Sequence, residues 1–251
     1  MAKGTTGALK QKEECSFCQG TGWIPDDQEG LRQVRRCSCF TDLVKKRINE
    51  RCNIPSRYID CSFENYEMHD PSHNKAKKIA EKFVATYPGI DTGLFFIGSC
   101  GVGKTHLAVA ILKSLIDRKM VDGIFYDSWE LLKAIQNTFS SDSALSESQV
   151  LSPVIEKELV VLDDLGAQKV TDWRRDILMY ILNKRYNDKK PTIITSNWKL
   201  AHGDVEGEES LEERVGARLL SRLYEMCVIV EIKGKDYRKS FKQDGYRQNL
   251  R

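Results

Sequence analysis

Residues 98–105 read GSCGVGKT, and no other stretch restricts so sharply what this chain can fold into. The spacing G-x-x-x-x-G-K-[ST] is matched without a mismatch, and it describes a loop whose glycines let successive backbone N–H groups wrap a phosphate chain. Such a loop needs a strand to deliver it and a helix to receive it. GLFFIG (93–98) is an apolar run of strand length, and Leu107, Ala108, Ile111, Leu112 and Leu115 share one face of a helix expected over about 104–119. Gly98, Ser99, Cys100, Gly101, Val102, Gly103, Lys104 and Thr105 are therefore expected to hold the phosphates of ATP. Lys104 supplies a point charge for the β- and γ-phosphates, and the Thr105 hydroxyl can ligate Mg²⁺. The loop works through its backbone, so Cys100 is expected to be a bystander and His106 a packing residue.

The rest of the chain from about residue 54 alternates in the same way. Strands are expected at GIFYDS (123–128), ELVVLDD (158–164), PTIITSN (191–197) and CVIVEI (227–232). Helices are expected at 129–139, 171–188, where Thr171 or Asp172 is a good N-cap, and 210–226. SSDSALSESQ (140–149) and HGDVEGEES (202–210) read as polar connections. This alternation predicts an α/β domain with a five-stranded, mainly parallel sheet covered on both faces.

LVVLDDLG (159–166) ends a buried strand in two carboxylates. Asp163 is expected to be the Mg²⁺-side carboxylate, since its strand must lie beside the phosphate loop. Asp164 stands where many ATPases of this kind use glutamate to polarise the attacking water. Aspartate is one methylene shorter, so it does that work only if the backbone moves in or the water sits closer. Slow turnover is the expectation. The next strand ends in Asn197, which can be aimed at the γ-phosphate or the water, since strand ends on one edge of such a sheet face the ligand.

Ahead of this domain lie a loose tail (1–12) and a cysteine-rich segment (13–52). Cys15 and Cys18 form a C-x₂-C pair, and Cys37 and Cys39 a C-x-C pair, with two short strands around a polar turn expected between them. Two close pairs at a hairpin's separation can set four thiolates around a structural Zn²⁺, and a segment this short needs such a staple to be ordered. Cys52, Cys61 and Cys227 have no partner pattern and are expected to be buried thiols.

Composition narrows the setting. There is no apolar run of about 18 residues, so no membrane partner is expected, and the N-terminal sequence lacks the apolar segment of a secretory signal. The cytoplasm is the expected compartment, where cysteines serve as thiols or metal ligands. The net charge of +3 hides local bias: residues 32–51 hold seven Lys/Arg against two acidic residues, and 231–251 seven against three. Such clusters suit nucleic acid or an acidic partner, or a solvated face.

With these residues assembled, the chain resembles the AAA+ ATPases of the DnaC/DnaI helicase-loader type and the related IstB-type transposition helper ATPases. The resemblance covers about residues 54–240, through GSCGVGKTHLA, LVVLDDLGAQ, NKRYNDKKPTIITSNW and SRLYEMCVIVEIKGKDYR. It implies an AAA+ P-loop domain over 54–251 behind a zinc-ribbon-like module over 13–52. The module looks like the helicase-binding end of a DnaI-like loader. ARLLSRL resembles the helix bearing an arginine finger, which nominates Arg222, with Arg218 one turn earlier as the alternative, to reach the γ-phosphate of a neighbouring subunit. GKDYR resembles the sensor-2 site and nominates Arg238 for the γ-phosphate of its own subunit. Loaders of this type bind single-stranded DNA, and the matching positions are Phe139, Thr171 and Trp173, although core or cap roles fit them equally. The implied function is an ATP-dependent loader of a hexameric replicative helicase onto single-stranded DNA, self-assembling through ATP-bound interfaces. The alternative is an IstB-like helper that binds duplex DNA.

Overall fold

The computed structural model describes residues 15–28, 31–140, 145–200 and 209–242. The expected tail at 1–12 and most of the connection at 202–210 lie outside them. The chain forms two compact units, Met1–Arg47 and Ile48–Arg251.

In the first unit, β1 (Trp23–Gln28) pairs antiparallel with β2 (Leu31–Arg36), and Trp23 stands opposite Arg36. Helix α1 (Ser38–Arg51) follows at once. Among the described residues of this unit, Cys18 and Cys37 are the only fully buried apolar side chains. The Arg36 guanidinium lies 3.7 Å from the Trp23 ring centroid and 4.3 Å from that of Phe40, a cation–π contact with two rings. The division between units falls inside α1, not after residue 52. Ile48 and Cys52 pack into the second unit's core, and the Cys52 carbonyl accepts a hydrogen bond from Phe125 N at 2.8 Å.

In the second unit the strands are β3 (Gly93–Ile97), β4 (Gly123–Asp127), β5 (Leu159–Asp163), β6 (Thr192–Ser196) and β7 (Cys227–Glu231). They lie in the order β4-β5-β6-β3-β7, and every pairing is parallel. All five positions of β3, β5 and β6 are buried, as a sheet covered on both faces requires. Leu94, Phe96 and Val161 face a core built with α2 (Pro71–Thr86) and α3 (Lys104–Lys119). Phe95, Val160 and Leu162 face the other, built with α4 (Ser128–Asn137), α5 (Glu147–Glu156), α6 (Asp172–Asn187), α7 (Leu211–Val215) and α8 (Ala217–Met226). In α3, Leu107, Ile111, Leu112, Leu115 and Ile116 are fully buried, at about 1.5–3 kcal/mol each. The helix that receives the phosphate loop is thereby anchored.

Three elements depart from the expected pattern. Helix α2 had no counterpart, and α5 occupies part of the stretch expected to be a polar connection. The helix expected over 210–226 is broken at Gly216, whose φ of 91° ends α7 and starts α8. A Cβ there would lie 2.8 Å from Arg175 Nε, which donates to the Val215 carbonyl at 3.0 Å, so the break needs glycine. No helix among the described residues is long and apolar enough to cross a membrane.

Candidate functional site

Because the five strands are parallel, their carboxyl ends share one edge, and that edge holds a cleft of about 730 Å³. The loop from Gly98 to Thr105 leaves β3 and enters α3 through Gly103, whose φ is 92°. A Cβ on Gly103 would lie 2.6 Å from the Tyr66 ring, so backbone freedom and close packing both demand glycine. Lys104 is buried, and its Nζ donates to the carbonyls of Gly98 at 2.8 Å and Ser99 at 2.7 Å. Burial pushes its pKa down to about 8. Cys100 is exposed on the loop. His106 packs against Tyr66 with ring centroids 5.3 Å apart, and its Nε2 lies 2.8 Å from the Ser62 carbonyl, the packing role its position implied.

The two aspartates at the end of β5 are held differently. Asp163 is buried; Thr105 Oγ1 lies 2.9 Å and 3.2 Å from its carboxylate oxygens, and Thr195 Oγ1 donates to Oδ1 at 2.6 Å. Burial raises the Asp163 pKa against the pull of those two hydroxyls. A carboxylate and a hydroxyl side by side are the hard oxygen donors that suit Mg²⁺, so Thr105 and Asp163 fit the ion expected of them.

Asp164 turns out of the strand with φ 56°. Its carboxylate accepts a hydrogen bond from Asn197 Nδ2, its N–H donates to Thr195 Oγ1 at 2.9 Å, and its carbonyl accepts from Ser128 Oγ at 3.1 Å. Burial, and then the charge of Asp127, raise its pKa. Asp127 itself caps α4, accepting from Trp129 N at 2.9 Å and Glu130 N at 3.0 Å. Thr195, Ser128 and Asp127 were absent from the sequence reading. Thr195 did carry a signal, since it stands two residues before Asn197, the spacing at which side chains along an extended chain point the same way.

The nominated arginines divide. Arg238 lines the phosphate cleft, with its Nε 3.8 Å from Asp236 Oδ1. Arg222 lies on α8, and it is not among the residues lining that cleft. It stacks on Tyr186 at 4.6 Å and donates to Glu225 Oε2 at 2.5 Å, while its Nε is buried without a partner among the described residues. Arg218 is exposed on the same helix.

Phe139 comes together with Thr171 and Trp173 from a separate part of the sequence. With Gln136 and Arg174 they line a second cleft of about 320 Å³. The Phe139 and Trp173 rings meet edge to face with centroids 5.7 Å apart, and Phe139 is 59% exposed. Thr171 caps α6. Arg174 lies 4.1 Å from the Trp129 ring and donates to Gln136 Oε1 at 3.2 Å.

In the first unit the four thiols Cys15, Cys18, Cys37 and Cys39 converge, their sulfurs all within 4.8 Å of one another. Cys15 and Cys37 stand 3.6 Å apart, and Cys18 and Cys39 3.4 Å. Zn–S bonds of ~2.3 Å in a tetrahedron separate sulfurs by about 3.8 Å, so this set fits a structural zinc. The turn that brings the first pair in is closed by Gln19 N donating to the Cys15 carbonyl at 2.7 Å and Thr21 N to the Cys18 carbonyl at 3.0 Å. Backbone hydrogen bonds from Cys18 and Phe17 hold the Cys15 thiol below its ordinary pKa, which favours the thiolate a metal needs. Metal analysis of the purified chain is expected to find about one zinc per chain, lost on Cys15→Ser. A metal-free chain with four titratable thiols at these positions would contradict the assignment. Of the remaining cysteines, Cys52 and Cys227 are buried and Cys61 is half-buried.

A family model described as IstB-like ATP binding protein matches residues 10–245. Over 247 residues the chain is 27% identical to the phage-like element PBSX protein XkdC of Bacillus subtilis, an alignment spanning 93% of this chain and 88% of that protein. It is 28% identical over 179 residues to the replicative helicase loader DnaC of Escherichia coli, spanning 71% of this chain and 69% of that protein. The crystal structure of the DnaC helicase loader superposes with a TM-score of 0.63 at 36% identity, covering 71% of this chain and all (100%) of that one. The parallel sheet, the phosphate loop after β3 and the paired aspartates at the end of β5 have an AAA+ fold as their frame, and the chain belongs to the family of IstB-like ATP-binding proteins.

Proposed function

We propose that this protein is an ATP-hydrolysing loader that delivers a hexameric replicative helicase onto single-stranded DNA. The observation that carries the reading is the convergence of Lys104, Thr105, Asp163, Asp164, Asn197 and Arg238 on one cleft, in a chain similar to a solved DnaC helicase loader over the whole of that solved chain. In this reading the loop amides and Lys104 bind the β- and γ-phosphates of ATP. Thr105 and Asp163 hold Mg²⁺, which neutralises charge on the phosphates when bound. Asp164 and Asn197 orient the attacking water, and Arg238 meets the γ-phosphate of its own subunit. Arg222 faces the nucleotide of a neighbouring copy, so that ATP joins subunits and hydrolysis releases them. Phe139 and Trp173 offer faces on which bases stack, and Thr171 sits at the same cleft. The zinc module, with its basic helix and its exposed Phe17 and Trp23, is the grip on the helicase.

The test is capture. The immobilised chain is expected to retain a hexameric replicative helicase, and the Cys15→Ser variant to lose it while keeping ATP binding. Substitution is the better instrument than removal of residues 1–52, because Ile48 and Cys52 belong to the ATP-binding core. Helicase retained equally by both forms would refute this division of labour. The alternative reading is an IstB-like transposition helper that binds duplex DNA, so DNA preference is the second readout. Single-stranded DNA is expected to bind at least about tenfold more tightly than duplex at matched salt, and the reverse order would favour a helper that acts on duplex.

A further inference from the structure

The Asp164 carboxylate is a methylene shorter than a glutamate's, and the backbone beneath it is unlike that of an ordinary strand end. Its φ of 56° is left-handed, a conformation uncommon outside glycine that is kept where the surroundings impose it. Here they do. From β6, Thr195 Oγ1 accepts the Asp164 N–H at 2.9 Å and spends its single proton on Asp163 Oδ1 at 2.6 Å. From the first residue of α4, Ser128 Oγ donates to the Asp164 carbonyl at 3.1 Å. Leu165 N then donates to the Thr195 carbonyl at 2.8 Å, which registers the next peptide on the same strand. Thr195 is 1% exposed and Ser128 4%, so little water competes for these bonds. Both main-chain polar groups of one residue are thus clamped by hydroxyls from β6 and from the start of α4, and its side chain is left directed at Asn197 and the phosphate cleft.

We propose that Thr195 and Ser128 are positioning residues for ATP hydrolysis: they impose the left-handed turn at Asp164, and that turn carries a short carboxylate to where a water can be oriented. This rests on the ATPase reading above. In the step concerned, the water oxygen bonds to the γ-phosphorus as the bond from phosphorus to the ADP oxygen breaks, and the water's proton passes to the Asp164 carboxylate. A methyl in place of the Thr195 hydroxyl fills the same space but leaves the Asp164 N–H unpaired and takes a donor from Asp163. The role therefore belongs to the hydroxyl and not to packing.

The experiment compares steady-state ATP turnover and nucleotide affinity in the full-length chain. Thr195→Val is expected to lower kcat at least about thirtyfold with KM and affinity changed less than about threefold, Thr195→Ser to restore kcat to within about threefold, and Ser128→Ala to lower it about fivefold. Turnover by Thr195→Val within threefold of the native chain, or Thr195→Ser as slow as Thr195→Val, would overturn the proposal. If Thr195→Val does not fold, Ser128→Ala decides, and native turnover there overturns it. A native chain that binds ATP without hydrolysing it would instead sink the ATPase reading, and the proposal with it.

Discussion

Arg185→Ala is expected to destabilise the ATP-binding unit by about 3–5 kcal/mol, read as a fall of about 10 °C in the thermal midpoint. Arg185 is wholly buried, and its hydrogen-bond partners among the described residues are a hydroxyl and backbone carbonyls, not a carboxylate. Its guanidinium instead donates to Thr192 Oγ1 at 2.9 Å and to the carbonyls of Val154, Lys157 and Pro191 at 3.1, 2.8 and 2.7 Å. Longer bonds, at 3.4 Å each, reach the carbonyls of Ile155 and Glu158. Burial pushes its pKa down to about 10, still far above neutrality, so the group stays charged. Val154 and Ile155 lie in the last turn of α5, where helix carbonyls lack internal partners and the helix dipole is negative. One side chain thus ties the end of α5 to the starts of β5 and β6. Alanine would leave those acceptors buried and unpaired, each at about 1–3 kcal/mol before relaxation, and would open a cavity as well. Lys75→Ala, on the exposed face of α2, is the control, expected to stay within about 0.5 kcal/mol of the native chain. A loss below about 1 kcal/mol for Arg185→Ala would show that the acceptors find other partners.

Arg185 also shows where sequence reading stops. It falls on the stripe Leu178, Ile181, Leu182, Arg185, the buried face of α6, so an arginine at an apolar position was visible in the pattern. Most of its partners were not, since four of the carbonyls come from the end of α5 and the link to β5, 27 to 31 residues earlier in the chain. Helix α5 was hidden by a polar lead-in and by Pro153 within it, although Ser146 and Gln149 form a capping box that marks its start. Helix α2 buries only His73, Ala76, Ala80, Phe83 and Val84, too few large apolar residues to stand out, yet Asp70 followed by Pro71 is a helix-start signal. The phosphate loop and the buried strands were legible because their chemistry is local: glycine spacing defines one, and continuous apolar runs define the others. The hold on Asp164 was not, because it depends on which strands become neighbours. That order, β4-β5-β6-β3-β7, puts the Ser128 and Thr195 hydroxyls on either side of one residue, and nothing in LVVLDDLG announces it.

Asp164→Asn is expected to lower ATP turnover at least about a hundredfold while nucleotide affinity moves less than about threefold. Asparagine is the informative replacement because it keeps the size of the side chain and tolerates the left-handed backbone as aspartate does. The hydroxyl clamps from Thr195 and Ser128 act on the main chain and survive the change. What is lost is the negative oxygen that orients the water and takes its proton. Lys104, Thr105 and Asp163, which would hold the phosphates and the metal ion, are untouched, so binding should persist and separate from chemistry. The measurement is single-turnover hydrolysis beside equilibrium binding of a non-hydrolysable ATP analogue, in the same preparation. Equal losses in both would mean that Asp164 acts in binding. Unchanged turnover would remove it from the mechanism and leave Asn197, which donates to Asp164 in this structure, as the polar group that must orient the water. A variant arrested with ATP bound also has a use for function: if hydrolysis times release, Asp164→Asn should still capture the helicase but fail to let it go.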